Sequence, residues 1–257
     1  MKIIIFVMNP DKYFERRKAL TILLEKTPFQ FQFIAINDDL ELTPTAIAKN
    51  HDSKRTIDSF GREFTRGELA STLNHLLSYK KILESEYDLA VIMEDDAVFN
   101  VDDFIFVLEK IIKIINMNKP QVYLLTPVIS YLNKKSKDLS KNYKVVNVIQ
   151  SWDSSGYIIN RKAAEKMFNA NLKSWIIADD WVRYKRHANI DIYCVIPTII
   201  KQNFDIFDSN LMTSRNKAIK NRSFKYIITR VGNKIIADLK KYFWLLPFKG
   251  YVRNKDV

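Results

Sequence analysis

Glycine is scarce in this chain, and its rarity excludes more than any residue that is abundant. Five glycines in 257 residues provide no Gly-rich loop of the kind that cradles a phosphate in nucleotide-hydrolysing folds, which argues against metal-dependent phosphoryl transfer or hydrolysis. With only seven prolines beside them, low complexity and disorder are excluded as well. Cysteine occurs once, in Ile192-Tyr193-Cys194-Val195-Ile196, so no disulfide can form within the chain and the thiol reads as a buried apolar group suited to a reducing compartment. Long hydrophobic runs are absent: no stretch is long enough to span a bilayer. The N-terminal MKIIIFVMNPD is too short for a signal-peptide core and reads as a strand. The expectation is a cytoplasmic protein that spans no membrane.

What is present is 47% apolar content, enough for one large core or two small ones, and a net charge of +12. That charge is uneven. Residues 216–257 hold eleven basic groups against Asp238 and Asp256, about +9 of the total, so the excess belongs to a tail rather than to the body of the protein. The expected division is a catalytic body over 1–215 and a basic tail over 216–257.

Residues 2–8 read as a strand, 12–26 as a helix with Leu20, Leu23 and Leu24 on its apolar side, and 29–36 as a second strand. This opening suggests a parallel pair in a layered α/β domain. Residues 37–64 are polar and poorly periodic, a long excursion of the kind that is uncommon unless functional. A helix begins after Thr65-Arg66-Gly67-Glu68, which fits a capping box. Later strands are expected over 121–126, 144–149 and 190–196, with helices over 102–115 and 161–168, and residues 131–142 form a lysine-rich loop or hairpin. Small residues around Gly156 permit close approach of a ligand or another strand.

The chain is organised around Leu89-Ala90-Val91-Ile92-Met93, a run with the length and β-branching of a strand buried on both faces. It passes without a turn residue into Glu94, Asp95 and Asp96. A buried strand cannot carry three anions, so they are placed at its exposed carboxyl end, where open α/β sheets bind ligands. Glu94 and Asp96, two apart, suit a hard cation, Mg²⁺ or Mn²⁺, that completes its shell with water and phosphate. An exposed acidic turn, or an N-cap for the helix starting near Asp102, is the plain alternative. His75, on the preceding helix, has no second His or Cys at ligand spacing and reads as structural or substrate-facing.

Several stretches in order resemble glycosyltransferase family 25, which includes bacterial lipooligosaccharide galactosyltransferases and collagen-modifying enzymes. They are Asn9 with Glu15-Arg16-Arg17, Phe64-Thr65-Arg66-Gly67-Glu68-Leu69-Ala70-Ser71-Thr72-Leu73-Asn74-His75, Val91-Ile92-Met93-Glu94-Asp95-Asp96, Ser155-Gly156-Tyr157-Ile158-Ile159-Asn160 before Ala163-Ala164, and Asp179-Asp180-Trp181. One departure is Asn74, where the family commonly has Ser. The resemblance implies a GT-A-like α/β nucleotide-sugar fold with an acidic metal motif and inverting transfer from a UDP-sugar, most often UDP-galactose, to a lipid-linked oligosaccharide acceptor. In the physical reading Glu94 and Asp96 bind the metal, and Asp95, the middle residue of an extended stretch, faces ribose or sugar. Arg16 and Arg17 contact uridine or phosphate, with solvation of the first helix as the alternative, and Asn9 and His75 join the donor side.

Inversion needs a base on the acceptor side. Asp179 and Asp180 are the first choice, because adjacent carboxylates beside Trp181 combine desolvation with like-charge coupling and the indole suits a sugar face. Asp153, between Trp152 and a Ser-Ser-Gly turn, is the second. A helix N-terminus with two acids is the plain alternative. A non-catalytic nucleotide-sugar or carbohydrate-binding protein on the same fold is the competing function, though it has little need of two acidic clusters.

In the tail, Phe224, Ile227, Ile228, Val231, Ile235 and Leu239 fall at helical spacing among lysines and arginines, followed by Tyr242-Phe243-Trp244-Leu245-Leu246-Pro247-Phe248. A basic amphipathic helix with aromatics suits the headgroup boundary of an anionic membrane, here the cytoplasmic face of the inner membrane. Packing on the catalytic body and homodimerisation are the alternatives, and no nucleic-acid motif is present.

Overall fold

The computed structural model describes residues 1–35, 42–202 and 239–254. β1 (Ile3–Asn9), α1 (Phe14–Leu24) and β2 (Phe31–Ala35) open the chain, and the two strands pair in parallel as expected. The described part of the supposed excursion is helical instead: α2 (Pro44–Asn50) and α3 (Ser53–Phe60). Neither shows in the periodicity, because caps define both. Thr43 accepts from the Ala46 amide at 3.2 Å, Asp52 accepts from Arg55 at 3.0 Å, and Gly61, at φ 71°, closes α3 in the left-handed region.

α4 (Arg66–Glu84) follows the capping box as read: the Glu68 amide donates to Thr65 Oγ1 at 3.2 Å and the Thr65 amide to Glu68 Oε2 at 2.9 Å. The same carboxylate takes both ends of the Arg62 guanidinium, at 2.6 and 2.7 Å, in an almost fully buried pair. Beyond it run β3 (Leu89–Glu94), β4 (Ala97–Phe99), α5 (Val101–Ile114) and β5 (Gln121–Leu124). The lysine-rich stretch is a strand, β6 (Ser130–Asp138), hairpinned to β7 (Lys144–Gln150). Of the two readings of this stretch, the hairpin holds, and its sequence is polar because most of its side chains are exposed. β8 (Gly156–Asn160), α6 (Arg161–Ala170), α7 (Trp181–His187), β9 (Asp191–Ile196) and β10 (Ile200–Gln202) complete the body.

Of the anticipated tail, residues 216–238, including Phe224, Ile227, Ile228, Val231 and Ile235, lie outside the described residues. Its end is a π-helical turn over Lys241–Leu245, α8 (Leu246–Lys249) and β11 (Tyr251–Arg253), and β11 joins the catalytic sheet by pairing antiparallel with β6.

The sheet is mixed and nine-stranded, in the order β11-β6-β7-β9-β5-β8-β3-β1-β2, with β4 and β10 forming a separate ribbon. β3 sits between parallel β1 and antiparallel β8. Its alternation divides two cores: Ala90 and Ile92 pack with Leu76, Tyr79 and Trp181 on one face, and Leu89, Val91 and Met93 with Leu20, Phe104 and Leu108 on the other. The strand is thus buried on both faces, and only its carboxyl end is left for polar chemistry. Gly156 resolves as a close approach of strands: a Cβ there would meet Ile200 Cδ1 at 2.6 Å. Cys194 is buried, as expected.

Glu68→Ala removes the capping box and leaves Arg62 charged and buried without its partner. It is expected to lower stability by about 3–5 kcal/mol, and Thr65→Ala, which removes one cap bond, by about 1 kcal/mol. Urea unfolding midpoints of the two variants check the ranking.

Candidate active site

The carboxyl ends of β1 and β3 lie side by side, with Met8 opposite Glu94. β8 runs antiparallel to β3, so the residues that precede it arrive at the same edge, and the Glu94 amide donates to Ser155 O at 2.9 Å. The site is therefore built from three chain segments: the end of β1 with the start of α1, the turn between β3 and β4, and residues 151–155.

The carboxylates are less exposed than the sequence suggested. Asp95 is 8% exposed, and Glu94 and Asp96 are half-buried. Asp95 is claimed by two donors, Asn9 Nδ2 at 2.7 Å and Arg16 Nη1 at 3.0 Å. Asn9 also donates to Tyr13 O at 3.3 Å, and the Arg16 guanidinium lies over the Tyr13 ring, so Asn9, Arg16 and Asp95 form one clamp at the mouth of α1. Arg17 is not part of it; its guanidinium lies over Phe33 of β2 at 4.6 Å.

Among the described residues Glu94 and Asp96 have no such counter-charge at hydrogen-bonding distance. Burial first, then the negative charge of Asp153 and Asp95, raises Glu94 from the usual 4.5 to about 7, against a smaller opposing effect of the Ser154 hydroxyl, 3.3 Å from Oε1. Burial first, then the charges of Glu94 and Asp95, raises Asp96 to about 7. Asp153 is raised by burial, although Ser155 donates to its Oδ1 through its amide at 2.9 Å and its hydroxyl at 2.6 Å.

Behind Glu94 stands a buried polar chain that sequence reasoning did not find. His75 Nε2 is 3.5 Å from Glu94 Oε1, His75 Nδ1 is 2.7 Å from Tyr157 Oη, and Tyr157 Oη is 2.9 Å from Tyr79 Oη. All three side chains are fully buried. Burial lowers the His75 pKa to about 4, partly offset by the charge of Asp179, and it raises both phenols well above their ordinary value. At neutral pH the ring is uncharged. The ring is held at Nδ1 by the Tyr157 hydroxyl, while Nε2 is buried without a hydrogen-bond partner and faces Glu94 Oε1 at 3.5 Å. His75 is thus a support behind the carboxylate. The i, i+4 spacing of His75 and Tyr79 on α4 was the available signal.

The second acidic pair divides. Asp180 caps α7, accepting from the Arg183 amide at 3.0 Å, and ion-pairs with the Arg183 guanidinium at 1% exposure. Asp179 acts on His75 through its charge. Trp181 Nε1 donates to Asp153 O at 2.7 Å, tying α7 to residues 151–155. Trp181 is itself 1% exposed and packed edge-on against Tyr157. The expectation that this indole faces a sugar is corrected: it is core. The indole at the surface is Trp152, 40% exposed and adjacent to Asp153.

The donor set suits a hard divalent cation. Glu94 and Asp96 offer oxygens only, and Asp96 Oδ1 is buried without a hydrogen-bond partner. Among the described residues no three His, Cys, Asp or Glu side chains are grouped to hold a metal, so an ion held by these two carboxylates would need its other ligands from water and substrate oxygen.

The profile of glycosyltransferase family 25, described as an LPS biosynthesis protein family, matches residues 2–182. The chain belongs to glycosyltransferase family 25. All five quoted motifs start inside that match, and the fold that carries them is mixed α/β about a central sheet. The glycosyltransferase is also 25% identical over 206 residues to the lipooligosaccharide biosynthesis protein lex-1 of Haemophilus influenzae, covering 71% of this chain and 68% of that protein. Among solved structures it is similar to a glycosyltransferase involved in glycosylation of the major capsid of PBCV-1, with 9% identity and a TM-score of 0.32, over 64% of this chain and 62% of that one. It is also similar to CMP:2-keto-3-deoxy-manno-octonic acid synthetase complexed with CTP, with 9% identity and a TM-score of 0.43, over 86% and 98% of the two chains.

The raised acids have a consequence for stability. An acid whose folded pKa exceeds its unfolded value binds more protons folded than unfolded between the two values, so stability falls as pH rises from about 4 to about 7. Without metal, the protein is expected to melt lower at about pH 8 than at about pH 5.5. Asp96→Asn is expected to narrow that gap and to raise the melting temperature at the higher pH by about 2–4 °C, as read by calorimetry in the presence of a chelator.

Proposed function

We propose that this glycosyltransferase transfers a hexose, galactose in our reading, from a UDP-sugar to the oligosaccharide of a lipooligosaccharide-type acceptor, with inversion and with Mn²⁺ or Mg²⁺. The observation that carries the proposal is the convergence of Glu94, Asp96 and Asp153 at the end of β3, with the pKa values of Glu94 and Asp96 raised to about 7. Burial of neighbouring carboxylates costs stability, and such a cost is typical of a site that binds a cation together with a diphosphate.

Glu94 and Asp96 hold the ion, which when bound supplies charge neutralisation for the leaving diphosphate. The chain's own residues do the rest. Asn9 and Arg16 fix Asp95, so that its carboxylate is oriented for the donor ribose or sugar, and Arg16 adds positive charge at the diphosphate side. The buried His75–Tyr157–Tyr79 chain closes the site behind Glu94, whose Oε1 accepts from the Ser154 hydroxyl. Asp153 takes the acceptor hydroxyl proton: its affinity for a proton is raised by burial, and it adjoins the exposed Trp152, whose ring offers a face for the acceptor sugar. Asp180 is engaged by its helix and by Arg183, and Asp179 is placed to act on His75, so we assign the base to Asp153 ahead of either.

The test is calorimetric titration of UDP with and without Mn²⁺, followed by UDP release from UDP-galactose, UDP-glucose and their N-acetyl forms. Metal-dependent UDP binding that disappears in Asp96→Ala is expected. Binding that survives unchanged in that variant removes the metal from the β3 turn, and metal-dependent binding without turnover on any acceptor favours a binding protein on the same fold. Asp153→Asn is expected to retain UDP affinity while transfer falls at least about a hundredfold; a larger loss in Asp179→Asn than in Asp153→Asn moves the base to Asp179. Trp152→Ala is expected to raise the acceptor KM with little change in the donor KM.

A further inference from the structure

The edge of the sheet farthest from β2 carries an uncommon surface. Four of the large apolar side chains most exposed on the described residues fall within one eight-residue stretch: Leu239 at 52%, Tyr242 at 61%, Phe243 at 74% and Leu246 at 42%. Scattered exposed apolar residues are ordinary, but a contiguous group marks an interaction site.

These side chains do not hang on a free tail. β11 pairs with β6 through Tyr251 opposite Leu132 and Arg253 opposite Ser130, the Asn133 amide donates to Gly250 O at 2.8 Å, and the Asn254 amide donates to Ile129 O at 2.9 Å. Gly250, at φ 62°, turns the chain between α8 and β11, and a Cβ there would meet the Lys134 backbone nitrogen at 3.2 Å. The apolar stretch is therefore clamped to the sheet edge; Lys134 of β6 adjoins it, and Lys135 and Lys137, also exposed, follow on the same strand. Lys240 is exposed beside Leu239, and Lys241 lies over the rings of Tyr242 and Tyr251. Exposed aromatic and aliphatic groups with lysines beside them match one kind of partner by charge and by polarity: a bilayer with an anionic headgroup layer.

We infer that β6 and the clamped segment from Leu239 to Arg253 together form a docking surface for an anionic lipid membrane. The lysines of β6 supply attraction over the Debye length, and Tyr242, Phe243 and Leu246 enter the headgroup boundary. The described helices include none long and apolar enough to cross a membrane, so the attachment is peripheral. The inference does not depend on the donor or the metal.

The experiment is co-sedimentation of the full chain with vesicles of phosphatidylcholine alone and with vesicles of phosphatidylcholine and phosphatidylglycerol in equal parts, at low and high salt. Two variants accompany it, Tyr242→Ser with Phe243→Ser, and Lys134→Glu with Lys135→Glu and Lys137→Glu; thermal melting establishes that both fold. Binding is expected only to the anionic vesicles and is expected to be weakened by salt. Each variant is expected to lose at least about tenfold in affinity. Equal binding to both vesicles, or wild-type binding by a folded β6 variant, overturns the inference. So does an absence of vesicle binding accompanied by self-association that Tyr242→Ser with Phe243→Ser abolishes, which would make the surface a contact between copies of the chain.

Discussion

Burial of a group of carboxylates at the end of β3 is the constraint on which this end of the molecule depends. Glu94, Asp95, Asp96 and Asp153 share one edge of the sheet, among the described residues only Asp95 has a cation within hydrogen-bonding reach, and burial raises the other three, with neighbouring negative charge adding to the rise in Glu94 and Asp96. Much of the surrounding structure serves to hold this arrangement in place. β3 is fixed by strands on both sides and by a core on each face. Asn9 and Arg16 lock Asp95, Ser154 and Ser155 hold Glu94 and Asp153, and Trp181 ties residues 151–155 to α7.

The neutral state of His75 follows from the same economy of charge. A protonated imidazole would be the simplest answer to Glu94, yet burial lowers its pKa to about 4. The ring instead stays neutral, held at Nδ1 by the Tyr157 hydroxyl. Arg16, bound to Asp95, is the cation whose charge opposes the rise in both Glu94 and Asp96.

The parts legible in the sequence were those in which local pattern and tertiary role coincide. The apolar run of β3, the carboxylates that follow it, the capping box at Thr65 and the Asn9–Arg16 segment could be read because strand burial, helix capping and the opening β-α-β unit each leave a short-range trace. The parts that were not legible depend on partners distant in the chain. α2 and α3 owe their limits to caps within a polar stretch, and β6 is a strand by virtue of β7 and β11 rather than of its own composition. The burial of Trp181 is decided by Tyr157 and by the Asp153 carbonyl. Asp179 and Asp180 are neighbours in sequence but differ in environment, since one caps a helix and the other faces α4; adjacency could not reveal that.

The pairing of β11 with β6 has an effect on the molecule's behaviour in concentrated solution. A nine-stranded sheet has two outer strands whose unpaired amides and carbonyls invite other chains to add on. Here β11 pairs with Ser130, Tyr131 and Leu132 at one end of β6. The remainder of β6, to Asp138, carries exposed lysines that act against edge-to-edge stacking. Shortening the protein before Tyr251 therefore lengthens the uncovered edge, and the first sign of that change would be fibrous or amorphous aggregation rather than unfolding.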